Sequence, residues 1–565
     1  MNGLHRSAAP AIAPVRPQRE GGASAATARP LRRRSRAARV APAALGALAA
    51  LLLGLRLVGE QRFAVVPETV PDAPAVADAS PLVGAVRRML APVPGASGAD
   101  GATVADATRP GSAFVPLGDA RAALLTRLAL IGHAADRLDV QYYLLEDDEV
   151  GNASLEALLE AARRGVRVRL LLDDIGLVGR AGALARLDAD EPNLEVRVFN
   201  PTLLRAWRPL EYVARFPRAT RRMHNKALVA DGVAAVVGGR NLGNDYFDVA
   251  TDSLFEDIDL LAVGEAARDV AREFDRYWHG GVAVDVDRVA DPADDREALD
   301  AWRERRAAAS SVHREALGAR DEVAALRLLD GALDAYAGRA AVLADAPTKV
   351  VGPLADGDEG VAARVLAEFA AAREELLICS PYLIPGEAGM AVFRELRARG
   401  VEITVLTNSF SANDVAAVHA GYRDWRRDLL EIGVALHEFR PGEGAGPGRA
   451  FLGASRTTLH AKAFVVDGER AFVGSFNLDP RSAVHNTEMG LLIDAPALAV
   501  RLRERLSRTL EARAWRLALD ADGELAWHGL DASGAGVVHR EEPGMSRTEE
   551  ALVYLASWLP IEWLL

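Results

Sequence analysis

The sequence predicts an α/β protein made by duplication of one domain. Three observations carry this. A motif of identical internal spacing occurs twice, from His224 to Asn241 and from His460 to Asn477. Around each copy, helix-period segments alternate with short apolar runs of strand length. Each repeated unit also far exceeds the roughly 20–50-residue period of a solenoid, so whole domains are duplicated.

The elements follow in chain order. Residues 1–39 hold nine arginines and one acid among Pro, Ala, Ser and Gly, and read as a disordered basic tail. Residues 40–59 are hydrophobic, with VAPAALGALAALLLGL free of charge up to Arg56. Behind a run of arginines they read as an uncleaved membrane anchor, with a cleaved signal or a mere hydrophobic tail as the alternatives. Residues 60–110 are rich in Pro, Ala, Asp and Gly and lack periodicity, as a linker does.

The first domain is expected over 111–286 and the second over 346–515. LALIGHAADRLDVQYYLL (128–145) matches RVLAEFAAAREELLICSPYLIP (364–385). LEALLEAARRGVRVRLLLDD (155–174) matches MAVFRELRARGVEITVLTNS (390–409). Each pairs an amphipathic helix with a following strand, the order that builds a largely buried sheet. Between them, 287–345 is charged and Ala-rich and reads as a helical connector. Residues 516–565 form a C-terminal extension. Its apolar end, ALVYLASWLPIEWLL, suits docking on the core or lying at a membrane interface.

Composition narrows the function. At 565 residues the chain is too long for a single core, and 50% hydrophobic residues supply ample apolar material. A net charge of −12 counts against general nucleic-acid binding. A single cysteine, Cys379, excludes an intrachain disulfide and any multi-cysteine metal site; its apolar setting, LLICSPYL, reads as core.

The chemistry lies in the doubled motif, H-x-K-x4-D-x6-G-[GS]-x-N. Apolar runs on both sides of Asp231-Gly232 and Asp467-Gly468 predict hairpins with those pairs at the turn. Alternation along a strand puts His224 with Lys226, and His460 with Lys462, on one face; it leaves Asp231 and Asp467 structural. Asn241 and Asn477 return to the same pocket after the second strand. Two lysines and two asparagines can hold non-bridging phosphate oxygens. One neutral imidazole can attack phosphorus while the other, protonated, donates to the leaving oxygen. No metal or cofactor is required, because Lys and His supply the positive charge.

Each imidazole also needs an orienting carboxylate. Aligning HNTEMGLLI (485–493) with LFEDIDLLA (254–262) pairs Glu488 with Asp257, Glu256 and Asp259 being competitors for the latter. Both lie roughly thirty residues beyond their own His, on a strand returning beside the motif hairpin.

With these residues in hand, the chain resembles the phospholipase D superfamily, in particular its bacterial cardiolipin synthase branch of type C. The likeness rests on LDVQYYLLEDD (138–148), RRMHNKALVADG (221–232), VGGRNLGNDYFD (237–248), VGSFNLDPRSAVHNTEMG (473–490) and LPIEWLL (559–565), within residues 111–565. It does not extend to the basic tail and Ala-rich segment, and YWHGG (277–281) stands where YWNS is more usual. The resemblance implies two phospholipase D-type domains, each a mixed sheet between helices, related by a pseudo-two-fold with the active site at their interface. It implies phosphatidyl transfer between phospholipids, with His224 as nucleophile, His460 as acid, and Lys226, Lys462, Asn241 and Asn477 on phosphate. The resemblance also implies phosphatidylglycerol as substrate, with phosphatidylethanolamine as a further candidate, at a bacterial inner (cell) membrane and without nucleic acid. A phospholipase D passing the same group to water shares every catalytic residue. A superfamily nuclease and a non-catalytic lipid-binding scaffold are the remaining readings.

Overall fold

The computed structural model describes residues 37–70, 80–90, 111–249, 254–291, 333–352, 358–413, 416–441, 457–531, 533–546 and 548–550, with isolated positions between 299 and 330. By contacts the chain forms two units, Met1–Gly54 and Leu55–Leu565. In the first, the described residues are helical, within a helix spanning Ala37–Arg62. Among the described residues no helix is long and apolar enough to cross a membrane. The expected hydrophobic segment, 40–59, lies within this helix, whose charged residues are Arg39 before the segment and Arg56, Glu60 and Arg62 at its end. Most of the basic tail, most of the connector and the apolar end 551–565 lie outside the described residues.

The second unit is organised by two halves. In the first, β1 (Ser112–Leu117), β2 (Arg137–Tyr142), β3 (Arg167–Asp173), β4 (Leu194–Phe199), β5 (Ala227–Ala230), β6 (Ala234–Gly238), β7 (Leu254–Glu256), β8 (Asp259–Gly264) and β9 (Ala283–Asp285) follow in sequence. In the second come β10 (Tyr336–Ala344), β11 (Glu375–Cys379), β12 (Glu402–Asn408), β13 (Ala435–Phe439), β14 (Thr457–Leu459), β15 (Ala463–Val466), β16 (Arg470–Gly474) and β17 (Met489–Asp494). Three strands then extend it: β18 (Ala514–Leu519), β19 (Leu525–Leu530) and β20 (Gly536–His539).

The pairing repeats. The first half runs β1-β8-β6-β5-β2-β3-β4-β9, and the second β10-β17-β16-β15-β11-β12-β13-β18-β19-β20. In each, three central strands are parallel, β2-β3-β4 and β11-β12-β13, and the motif hairpin is antiparallel beside them. Parallel neighbours need crossovers, supplied by helices such as Glu149–Arg163 and Gly386–Ala398. β1 pairs with β10, Ser112 opposite Gly338, and joins both halves into one 18-stranded sheet.

Two expectations are corrected. Tyr336–Ala344 was assigned to a helical connector, yet it is strand β10. Its Ala-rich sequence favours helix, but β17 and β1 both offer edges to it, and that pairing prevails. Within the expected linker, Pro81–Leu90 is a helix that buries Leu82, Val83, Ala85 and Val86.

The motif strands are apolar on both faces, and the fold uses both. In β5, Leu228 and Ala230 enter the first half's core, while Ala227 and Val229 turn to a core shared between halves. In β15, Phe464 and Val466 enter the second half's core, while Ala463 and Val465 meet the shared one. The site at the junction thus stands on rigid, twice-buried strands. Cys379 lies in that shared core, and burial pushes its thiol up to about 12.

Candidate active site

At both hairpin turns the Asp-Gly pair adopts the left-handed conformation, with φ of 50° at Asp231, 67° at Gly232, 52° at Asp467 and 64° at Gly468. Such turns match the twist of the flanking strands. Asp231 accepts from the backbone N–H groups of Ala135, Asp136 and Arg137 at 3.0, 2.9 and 2.9 Å; Asp467 accepts from Arg373, Glu374 and Glu375 at 3.0, 2.8 and 3.1 Å. Each carboxylate ties its hairpin to the start of the central strand alongside.

His224 and His460 sit just before β5 and β15, each with only 12% of its side chain exposed. Their partners are exchanged between halves. His224 Nδ1 lies 2.9 and 3.1 Å from the two carboxylate oxygens of Glu488, and His460 Nδ1 lies 2.6 Å from Asp257 Oδ2. The sequence reading placed each carboxylate beside its own motif; the structure puts it on the other half's histidine.

The backbone explains the exchange. A parallel bridge sets Met223 opposite Thr487, so the next residues, His224 and Glu488, fall side by side. β14 pairs parallel with β7, Leu459 opposite Glu256, which brings His460 beside Asp257. Each His segment is also held by its own half. Asp173, at the end of β3, accepts from Met223 N at 2.8 Å and from Arg222 at 3.0 Å. Asn408, at the end of β12, exchanges two hydrogen bonds with the backbone of Leu459, at 2.9 and 3.0 Å.

Both competitors of Asp257 are engaged elsewhere. Glu256 pairs with Arg505 and Arg513, and Asp259 is buried between Arg127 and Arg240. A Cβ on Gly239 would stand 2.3 Å from Asp257 Oδ1, so only glycine lets this short carboxylate approach. The corresponding Ser475 donates to Glu488 Oε2 at 2.5 Å.

The lysines complete the pocket. Lys226 Nζ donates to the His224 carbonyl at 2.7 Å and stands 5.4 Å from the Tyr143 ring centroid; Lys462 bonds the His460 carbonyl in the same way. Burial, then the two ammonium groups, hold both imidazoles well below the ordinary histidine range. Burial also lowers Lys226 and raises Asp257, and it lifts Glu488 to about 7. Burial and the lysines thus favour neutral histidines, and a phosphodiester in the pocket would supply the negative charge that favours protonation.

The asparagines are buried but differ. Asn241 accepts from Leu144 N at 3.3 Å and donates to Tyr246 Oη at 2.8 Å, whereas Asn477 Oδ1 has no hydrogen-bond partner among the described residues. Two tyrosines escaped the sequence reading as site residues. Tyr143 meets the His224 ring edge-on and Tyr246 meets that of His460, both at 5.3 Å between centroids. The near-symmetric placement of Tyr143, closing a predicted strand, was the available signal.

The family model for the cardiolipin synthase, PLD-like domain matches residues 128–278 and 365–510, more than half of the chain. The chain belongs to this family. Cardiolipin synthase C of Escherichia coli (strain K12) is 40% identical over 458 residues, 80% of this chain and 95% of that protein. A cardiolipin synthase of Geobacillus kaustophilus (strain HTA426) is 25% identical over 364 residues, 64% of this chain and 58% of that protein. Among solved structures, a phosphatidylserine synthase of Haemophilus influenzae Rd KW20 aligns with a TM-score of 0.54 at 16% identity, covering 81% of this chain and 97% of that one, a likeness of fold. The duplicated mixed α/β halves are those of phospholipase D-like domains.

Proposed function

We propose that this chain is a phosphatidyltransferase that forms cardiolipin through a phosphohistidine at His224. The observation that supports this most is the reciprocal pairing: two imidazoles, each with Nδ1 on a buried carboxylate of the opposite half, with a lysine beside each. Holding Nδ1–H leaves Nε2 with its lone pair for attack.

His224 Nε2 attacks the phosphorus of a phosphatidyl donor, and the bond from phosphorus to the leaving oxygen breaks as His460 protonates that oxygen. With phosphatidylglycerol as donor, glycerol departs. His460, now neutral, takes the proton of a hydroxyl on a second phosphatidylglycerol, whose oxygen displaces His224 and closes the new diester. Lys226 and Lys462 balance charge on the non-bridging oxygens, and the side-chain amides of Asn241 and Asn477 donate to them. Phosphatidylethanolamine is an equally suited donor, and a bacterial cell membrane, where these lipids lie, is the proposed site of action. Hydrolysis of the same intermediate by water is the alternative outcome.

The test is a lipid assay on the full chain in mixed phosphatidylglycerol and phosphatidylethanolamine vesicles, read by mass spectrometry. Cardiolipin is expected from the parent and from neither His224→Ala nor His460→Ala. Phosphatidic acid alone would replace transfer with hydrolysis.

A further inference from the structure

Away from the histidine pair, a cavity of about 380 Å³ is lined by four arginines, Arg56, Arg215, Arg218 and Arg221, and by one carboxylate, Glu60. Two of the arginines have acidic partners: Arg56 bonds Glu60 at 2.8 Å, and Arg215 bonds Glu211 at 2.6 Å. The other two have only neutral ones. Arg218 donates to Asn200 Oδ1 at 2.8 Å and to the Phe63 carbonyl at 3.5 Å; Arg221 donates to the Lys349 carbonyl at 3.3 Å. Arg215 Nη2 and Arg221 Nε are buried with no hydrogen-bond partner among the described residues, and the Arg215 side chain is only 3% exposed. Nearby Arg222 is paired with Asp173 but still acts on Arg218. Among the described residues, four guanidinium groups thus meet two carboxylates, Glu60 and Glu211, both of which also act on Arg218, and the excess of positive charge is one that a bound anion would offset.

We propose that this cavity is a second anion site, separate from the histidine centre, in which Arg215, Arg218 and Arg221 hold the phosphate ester of an anionic phospholipid headgroup. The planar fork of a guanidinium matches phosphate oxygens in pairs, and three converging forks select a phosphate over a carboxylate. Burial, Arg215 and Arg222 depress Arg218 to about 10, a repulsion that a bound anion relieves. The walls continue into exposed apolar residues. Val351 is part of the lining, Val66 follows Val65 and Val213 precedes Ala214, and all three are exposed. Acyl chains attached to a headgroup in the cavity would have that rim to lie on. Arg221 is three residues before His224, so the site borders the reaction centre along the chain. The lipid identity rests on the phosphatidyl-transfer reading; the anion chemistry stands without it.

The test is calorimetric titration of the full chain in a His224→Ala background, so that lipid is not consumed. The ligands are dihexanoyl phosphatidylglycerol below its micelle concentration and, separately, inorganic phosphate, at roughly 0.3 M salt to screen the basic tail. Arg218→Gln and Arg221→Gln are expected to take one equivalent of phosphatidylglycerol fewer than the parent, or to bind it at least tenfold more weakly, while Arg218→Lys, which keeps the charge but loses the fork, binds it with intermediate affinity. Thermal midpoints without ligand should be unchanged or raised in Arg218→Gln, since a repelled cation is removed. Equal stoichiometry and affinity in all variants would overturn the site. Loss of an equivalent for inorganic phosphate but not for the lipid would overturn the headgroup assignment. Absence of cardiolipin in the vesicle assay would sink the proposed activity and leave this comparison intact.

Discussion

Glu488 holds its proton up to about 7 because burial outweighs the pull of Lys226. As pH rises through that value the carboxylate forms and fixes the Nδ1–H of His224, leaving the Nε2 lone pair free for the proposed attack. kcat/KM should therefore rise with pH through an apparent value near 7 and fall away below it. In Glu488→Gln that limb should vanish, with kcat reduced by about 10²–10⁴-fold, the usual worth of such a group. Asp257→Asn should cost a similar factor through His460. The two differ in a spectroscopic readout: Glu488→Gln should shift the 15N tautomer signals of His224 and spare those of His460, and Asp257→Asn the reverse. A shift in the histidine of the same half instead would return the carboxylates to the pairing that sequence alignment suggests. Residue identities at this site were legible because two copies could be compared. Partnership was not, since the partners are 264 and 203 residues apart and no local pattern records which half faces which.

At the scale of elements, the Asp-Gly turns bear the load of holding each hairpin against its neighbour. Asp231 is buried and satisfies three backbone donors and Ser80, which donates to it at 2.5 Å; Asp467 satisfies three donors in a more open setting. Asp231→Ala should cost roughly 2–4 kcal/mol, since buried donors lose their acceptor and alanine resists positive φ. Asp467→Ala should cost about 1 kcal/mol, its donors being able to reach water. Thermal unfolding of the two variants checks the order, and an equal loss would contradict the asymmetry. These turns could be read from the sequence, because Asp-Gly between apolar runs has few other solutions. Strand β10 could not. Its alanines favour helix locally, and only the open edges of β1 and β17, distant in sequence, make it extended.

Across the whole molecule, duplication gives each half a hairpin with His and Lys, and the shared core presses the hairpins together. Neither half holds a complete histidine–carboxylate pair: each histidine meets its carboxylate across the junction. The proposed division of labour makes His224 the nucleophile and His460 the acid. It is tested most directly by quenching the enzyme in alkali during turnover with phosphatidylglycerol and mapping phosphorylated histidine by mass spectrometry, alkali being used because phosphohistidine is acid-labile. A phosphatidyl adduct, or the phosphate left after its deacylation, is predicted on the peptide containing His224 and absent from that containing His460. An adduct on His460, or cardiolipin formed with neither histidine modified at any time of quench, would contradict it.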